Sequence, residues 1–466
     1  MARLALIGLL SLLALQVERP PIAIVDVTVV PMDRERLLEH QTVVVQGGRI
    51  TDIGAAQSVR LPRTAQQIDG RAKFLMPGLA DMHVHFVREA LPENSQTASG
   101  RSGIPASASR DHALENRAYA LMFLANGVTA VRNMWGSETN DALKKDIESG
   151  RLAGPHVYST GPITDGNPPS WESTRIVENR EQAEAAVRSD KLKGYVAIKV
   201  YGRLSRDAYA EIVAAARGQG LPVAGHVPNS VGLEGVIAAR QDSIEHWDAF
   251  IRSLASGGSG SGTPSVAEIV QHPDLSKLPA LARAVKAAGS WVCPTLVVSD
   301  NPRTDRVGQE RASFIPPDVF VRYARMYPNR GVDPRSTSQG RALSLAIFTA
   351  LHDGGVQLLL GTDTMKVGTL PGYSLHDELK YFVTAGMTPY EAIRAGTADA
   401  AKFLRQENEF GRVAKGLRAD LLLVDANPLL DVQNVSKIAG VMAGGRWFTS
   451  QELERELVAL RAGYPH

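Results

Sequence analysis

Between Gly78 and Asp363 the chain alternates short apolar runs with amphipathic or polar stretches, and that alternation restricts the fold more than any other feature. The apolar runs are LADMHVH (79–85), GVTAVRN (127–133), GPHVYSTG (154–161) and YVAIKVY (195–201), followed by LPVAGH (221–226), DSIEH (242–246), SWVCPT (290–295) and VQLLLGTD (356–363). Each is strand-length, and stretches such as 111–127, 180–194 and 205–220 between them carry helical periodicity. Strands alternating with helices build parallel sheets, and eight of them are the number a (β/α)8 TIM barrel requires. The expected class is therefore α/β.

Both chain ends have a different texture. Residues 22–76 read as short alternating strands separated by turns, and 411–450 return to strand and turn. A small β-sandwich built from both ends, with the barrel inserted into it, accounts for this. The expected division is a signal segment at 1–19, sandwich strands at 20–76, the barrel at 77–410, more sandwich strands at 411–450 and a terminal helix or tail at 451–466. A chain of 466 residues is long enough for one large and one small domain. Segment 87–111 reads as a long polar loop over the barrel mouth, and 256–265 as a low-complexity loop.

The first residues, MARLALIGLLSLLALQVERPP, join a basic start at Arg3 to an apolar core at 4–15. That core is too short for the ~20 residues that span a bilayer, but it suits a secretory signal. No clear small-residue cleavage motif follows, so a core segment or an uncleaved anchor stays open. Export to the periplasm or the medium is the expectation, with no stable membrane association once the segment is removed. With Cys293 as the single cysteine, no intrachain disulfide can form. Lys and Arg total 51 against 49 Asp and Glu, with no basic tract or acidic tail, so nothing in the charge suggests nucleic acid or an electrostatic membrane surface. A small molecule is the expected partner, and assembly of identical chains is left open.

Barrels of this kind carry their chemistry where the strands end. Strand one ends in His83 and His85, two apart and so on one side of an extended chain. Taken alone, that pair could equally be two polar residues at a strand end. Strand four carries Lys199, strand five ends in His226, strand six in His246 and strand eight in Asp363. Imidazole and carboxylate at four separate strand ends suit zinc or a similar borderline cation.

The motifs PGLADMHVH, AIKVY, AGHV, SIEHW, GTDT and GRVAKGLRADLLLVDANPL, in this order, resemble the metal-dependent amidohydrolase superfamily, on its imidazolonepropionase and prolidase-like branch. The resemblance spans almost the whole chain. It implies two divalent ions, one held by His83, His85 and Asp363 and the other by His226 and His246. Lys199, carboxylated by CO2, would bridge them; an ordinary lysine beside a mononuclear site is the alternative. The implied reaction is hydrolysis of an amide or peptide-like C–N bond by a metal-bridging hydroxide, with Asp363 taking a proton and passing it to the leaving amine. Tyr201, two residues beyond Lys199, would contact substrate unless it is a core aromatic.

Around these positions, Asn133 could face the mouth. Trp171, Tyr373 and His376 are candidates for a pocket or lid, although packing explains them as well. His112 reads as a surface residue at a helix start, and His156 and His352 as structural. Prolidase-like relatives carry a GGH segment after strand three, where this chain has GPITDGNPPSWES, so dipeptidase specificity does not carry over. The same centre could attack a lactone, ester or phosphotriester, and a non-catalytic scaffold is the remote third reading.

Overall fold

The computed structural model describes residues 19–86, 112–171, 173–256, 264–299, 310–316, 333–364 and 369–464. The signal expected at 1–19 falls outside these except for Arg19. The loop expected at 87–111 and most of that at 256–265 also lie outside the described residues.

The strands of the two chain ends share one hydrogen-bonded sheet. β1 (Ile22–Val29), β2 (Leu38–Gln46), β3 (Arg49–Ala55), β4 (Gln66–Asp69) and β5 (Phe74–Pro77) come from the start of the chain. Their partners from the other end lie more than 340 residues on, and the two sets meet where Phe74–Pro77 runs antiparallel to Leu421–Val424. Alternation within LLLV explains the junction. Leu421 and Leu423 join Ile24, Val43 and Leu75 in the small apolar core, while Leu422 and Val424 join the main core. A sandwich implies two sheets, whereas here all eight strands belong to one, because Ile22–Val29 pairs with both β4 and β5 on the side away from β2.

The middle of the chain supplies parallel strands: β6 (Leu79–Val84), β7 (Val128–Asn133), β8 (His156–Ser159), β9 (Ile163–Asp165), β10 (Arg175–Ile176), β11 (Ile198–Val200), β12 (Val223–Gly225), β13 (Ser243–Glu245) and β14 (Trp291–Cys293). The closing strands of the other sheet are β15 (Leu421–Val424), β16 (Ile438–Ala443) and β17 (Arg446–Thr449). Helices His112–Ala125, Arg180–Leu192 and Arg206–Gln219 fall where periodicity places them. The last starts at a Ser205 cap and ends at Gly220, whose φ of 62° closes the helix in the left-handed conformation. No helix among the described residues is long and apolar enough to cross a membrane.

Two departures from the expected strands have clear causes. The third strand runs further than 154–161 and is split in two at Pro162. β8 pairs with β7 before the break, and β9 pairs with β11 after it. The eighth, 356–363, forms no regular ladder. Single bridges tie Leu358 to Val292 and Thr364 to Val84, with Met82 N donating to Leu360 O at 2.8 Å and Asp363 N to His83 O at 2.7 Å. Gly361 permits this close passage, since a Cβ there would lie 2.5 Å from Cys293 Sγ and 2.9 Å from His83 N.

Candidate metal centre

His83 and His85 leave β6 on the same side, with ring centroids 5.2 Å apart, as their spacing requires. His83 is fully buried, while His85 keeps about a quarter of its side chain exposed. Asp363 sits between them and the later strands. Its Oδ1 lies 3.0 Å from His85 Nε2 and 3.4 Å from His83 Nε2, and its Oδ2 lies 4.0 Å from His246 Nδ1. His246 packs 4.7 Å from His83 and 4.6 Å from His226. Lys199, central in β11, is fully buried, and its charge acts on both His83 and His226. The six positions expected from sequence therefore converge.

The backbone is bent to bring them together. His246 and Asp363 both have positive φ, 71° and 55°, as does Thr295 at 49°. Such conformations cost about 1–3 kcal/mol each away from glycine and persist only where surroundings enforce them. Enforcement is visible in His246 N donating to Cys293 O at 2.8 Å and in the Asp363 N bond to His83 O.

Burial disfavours charge on three of these nitrogens. Burial, aided by the Lys199 charge, lowers His83 to about 4, and burial drives His226 well below the usual imidazole range. Burial likewise brings Lys199 down to about 8. Nζ of Lys199, Nε2 of His83 and Nδ1 of His226 are buried and accept or donate no hydrogen bond in the structure. Buried polar atoms are rarely left so. Converging imidazole nitrogens beside a carboxylate are what a divalent cation takes as ligands, and the donor atoms of His83, His85 and Asp363 lie within 4.8 Å of one another. The residues fit a metal centre.

A support behind the ligands was not anticipated from sequence. His83 Nδ1 meets Glu245 Oε2 at 2.7 Å, which leaves Nε2 to face the centre. Glu245 also accepts from Arg132 Nη2 at 2.8 Å and from Ser243 Oγ, all of them buried. Burial alone would raise the Glu245 carboxyl, but Arg132 and His83 outweigh it and hold the group well below the usual carboxylate range. His246 is oriented in the same way, its Nδ1 2.8 Å from Thr295 Oγ1. The nearby trio of His83, Glu245 and Cys293 is a poor second ligand set. Glu245 is committed to Arg132, and burial pushes the Cys293 thiol well above its usual value.

Tyr201 lies against His226, with centroids 4.1 Å apart, and accepts a 2.8 Å hydrogen bond from Trp171 Nε1. Asn133 serves the framework. Its Nδ2 donates to Trp135 O and Ser159 Oγ, and its Oδ1 accepts from Phe86 N. Tyr373 and His376 belong to a helix, Tyr373–Thr384, rather than a loop. His376 Nε2 bonds Asn126 O at 3.0 Å, before β7 begins and so away from the strand ends that carry the centre. His156 faces Asp420 and His352 faces Asp353 and Glu391, all at 3.5–3.7 Å, as structural readings of both imply. His112 starts the helix His112–Ala125.

A sequence model described as the Amidohydrolase family matches residues 74–448. Ochratoxinase of Aspergillus niger is 26% identical over 469 aligned residues, covering 90% of this chain and 85% of that protein. Imidazolonepropionase of Streptomyces coelicolor is 24% identical over 408 residues, covering 84% of this chain and 86% of its own. Among solved structures, that of a Xaa-Pro dipeptidase with bound methionine in the active site superposes with a TM-score of 0.66 at 22% identity, covering 92% of this chain and all of that one.

Proposed function

The chain belongs to the amidohydrolase family, hydrolases acting on C–N bonds, and from that premise we propose that His83, His85, Lys199, His226, His246 and Asp363 hold two divalent ions, zinc or similar, and that the substrate is an amide or peptide-like small molecule. The observation carrying this reading is Lys199 Nζ, buried without a hydrogen-bond partner among four imidazoles and Asp363. A buried amine lowered to about 8 is uncharged in a substantial fraction at mildly alkaline pH. Only an uncharged amine adds CO2 to become an anionic, two-oxygen ligand. When bound, the ions supply Lewis-acid polarisation of the scissile carbonyl and a water made acidic enough to attack near neutral pH.

The remaining work falls to the chain. Asp363 Oδ1 and Oδ2, set between His85, His83 and His246, take the proton of the attacking water and deliver it to the leaving nitrogen. Glu245 and Thr295 fix the rings of His83 and His246, so the ligand nitrogens need no reorientation. Tyr201, at the rim beside His226, contacts the substrate.

The same reading treats 77–410 as a closed (β/α)8 barrel. Support comes from hydrogen bonds that continue between β8–β9 and residues 196–200, and across the eighth strand to β6 and β14. Residues 20–76 and 411–450 would be the small β domain, 451–466 a terminal helix or tail, and 1–19 an export signal to the periplasm or medium. The partner is a small molecule rather than nucleic acid.

The test is amine release by zinc-loaded protein from N-acyl amino acids and dipeptides, with lactones and phosphotriesters alongside. Turnover of amides, lost on chelation, restored by zinc and abolished in Asp363→Asn, is expected. Turnover confined to esters or phosphotriesters would transfer the centre to another reaction, and full activity in Asp363→Asn would remove the mechanism.

A further inference from the structure

The four imidazoles form only half of a closed circuit of rings. From His85 it continues to Trp135, with centroids 6.3 Å apart, and from Trp135 to Trp171 at 6.2 Å. The Trp171–Tyr201 hydrogen bond and the Tyr201–His226 contact at 4.1 Å carry it on. His226, His246 and His83 then return it to His85. The members follow the strand order, and the second, third and fourth strands, β7, β8–β9 and β11, contribute the Trp135, Trp171 and Tyr201 wall.

This wall is built in place. Asn133 Nδ2 and Asn140 Nδ2 both bond Trp135 O, at 3.1 and 3.0 Å. The buried Asp165 carboxylate accepts from Ser170 N at 2.9 Å and from Arg203 N at 2.6 Å, which ties the loop of Trp171 to that of Tyr201. Gly166 lets these loops meet, for a Cβ there would lie 2.1 Å from Arg203 O. Trp171 and Tyr201 stay partly exposed, and Trp135 keeps 7% of its surface accessible.

We propose that this aromatic wall is the specificity surface of the site, and that the preferred substrate carries a flat, uncharged aromatic group next to the scissile C–N bond. The inference rests on the reading of the centre as a C–N hydrolase. Indole and phenol rings favour offset or edge contacts with another ring over an aliphatic group of equal size. An aromatic wall also attracts cations, but the opposite half of this circuit consists of ligands for divalent ions, and a cationic group beside them is repelled.

Two matched amide pairs test it: N-benzoylglycine against N-(cyclohexanecarbonyl)glycine, and N-acetylphenylalanine against N-acetyl-cyclohexylalanine. Zinc-loaded protein is expected to favour the flat ring in at least one pair by about tenfold in kcat/KM. Trp171→Ala should lose most of that ratio, and Trp171→Phe should keep it. Trp171 is partly exposed and belongs to none of the buried apolar clusters, so neither change hollows the core. Calorimetric binding of 4-oxo-4-phenylbutanoate and its cyclohexyl counterpart, ketones with no C–N bond to cleave, reads the same preference without turnover. Amide turnover or ketone binding indifferent to the ring, or a preference untouched in Trp171→Ala, overturns the proposal. A ring preference in binding with no amide hydrolysed would uphold the wall and reject the C–N reading. Tighter binding of 4-(trimethylammonio)butanoate than of the phenyl ketone would make the wall a cation site and also overturn it.

Discussion

Replacing Glu245 by glutamine keeps the shape of the buried core beside His83 and removes one negative charge from it. Glu245 and Arg132 are both inaccessible to solvent, and the same carboxylate orients His83. Breaking a buried ion pair from one side costs about 3–5 kcal/mol, because the remaining charge stays buried without its partner. Losing a carboxylate behind a ligating histidine costs about 10–100-fold in metal affinity, or about 1.4–2.7 kcal/mol. The two consequences separate by comparison with Arg132→Met. That variant breaks the same pair but leaves Glu245 on His83 Nδ1, so both should unfold at lower temperature while Glu245→Gln alone loses most of its zinc affinity. Zinc competition against a chromophoric chelator and thermal melts of metal-free protein supply the two readouts. In the double variant Arg132→Met/Glu245→Gln the fold should recover part of the loss, since no lone charge remains, while zinc affinity should not. Wild-type zinc affinity in Glu245→Gln, or an equal loss in Arg132→Met, would refute the orienting role.

In metal-free protein, the His83 contribution is complete above its ordinary 6.5 and is lost as pH falls toward about 4, whereas that of Asp81, raised by burial to about 7, is lost as pH rises from its ordinary 3.8. The two oppose each other between pH 4 and 6.5, so Asp81→Asn should expose a fall on the order of 3 kcal/mol over that range in denaturation experiments, and a profile parallel to wild type would contradict this. Chelation should lower the thermal midpoint and zinc at about 100 times its Kd should restore about 2.7 kcal/mol; a midpoint indifferent to zinc would argue against the centre. Gly361→Ala should cost about 1–3 kcal/mol and weaken zinc binding in a competition titration. Adding Cys293→Ala should rescue it only in part, because the backbone contact at His83 N remains.

The six converging positions were legible in the sequence because a histidine, lysine or aspartate at the end of an apolar strand is costly to bury for packing alone. Each strand end could be read locally, and only their convergence required the fold. Arg132 and Glu245 were not legible for the opposite reason. GVTAVRN and DSIEH contain them in plain view, yet nothing in either run says that the two side chains meet in the core across 113 residues of chain. The pause at Pro162 and the unladdered eighth strand were missed because they depend on which neighbour each half-strand finds. The junction of Leu421–Val424 with Phe74–Pro77 was partly readable, since a four-residue run apolar throughout signals burial on both faces.

Trp135 shows where local reading ends. Two residues past β7, in RNMWGSE, it has no polar atom that suggests chemistry, and aromatic residues near a strand end are most often core. Its position in the strand order changes that. Going round from His85 to His226, β7, β8–β9 and β11 would leave one side of the centre without a wall, and Trp135, Trp171 and Tyr201 occupy that side in sequence. The dipeptidase-like motif absent after the third strand is replaced by GPITDGNPPSWES, the stretch that brings Trp171. The segment that departs from the pattern expected of prolidase-like relatives is thus the one that supplies Trp171, and the basis of specificity should be sought there before it is sought among the histidines.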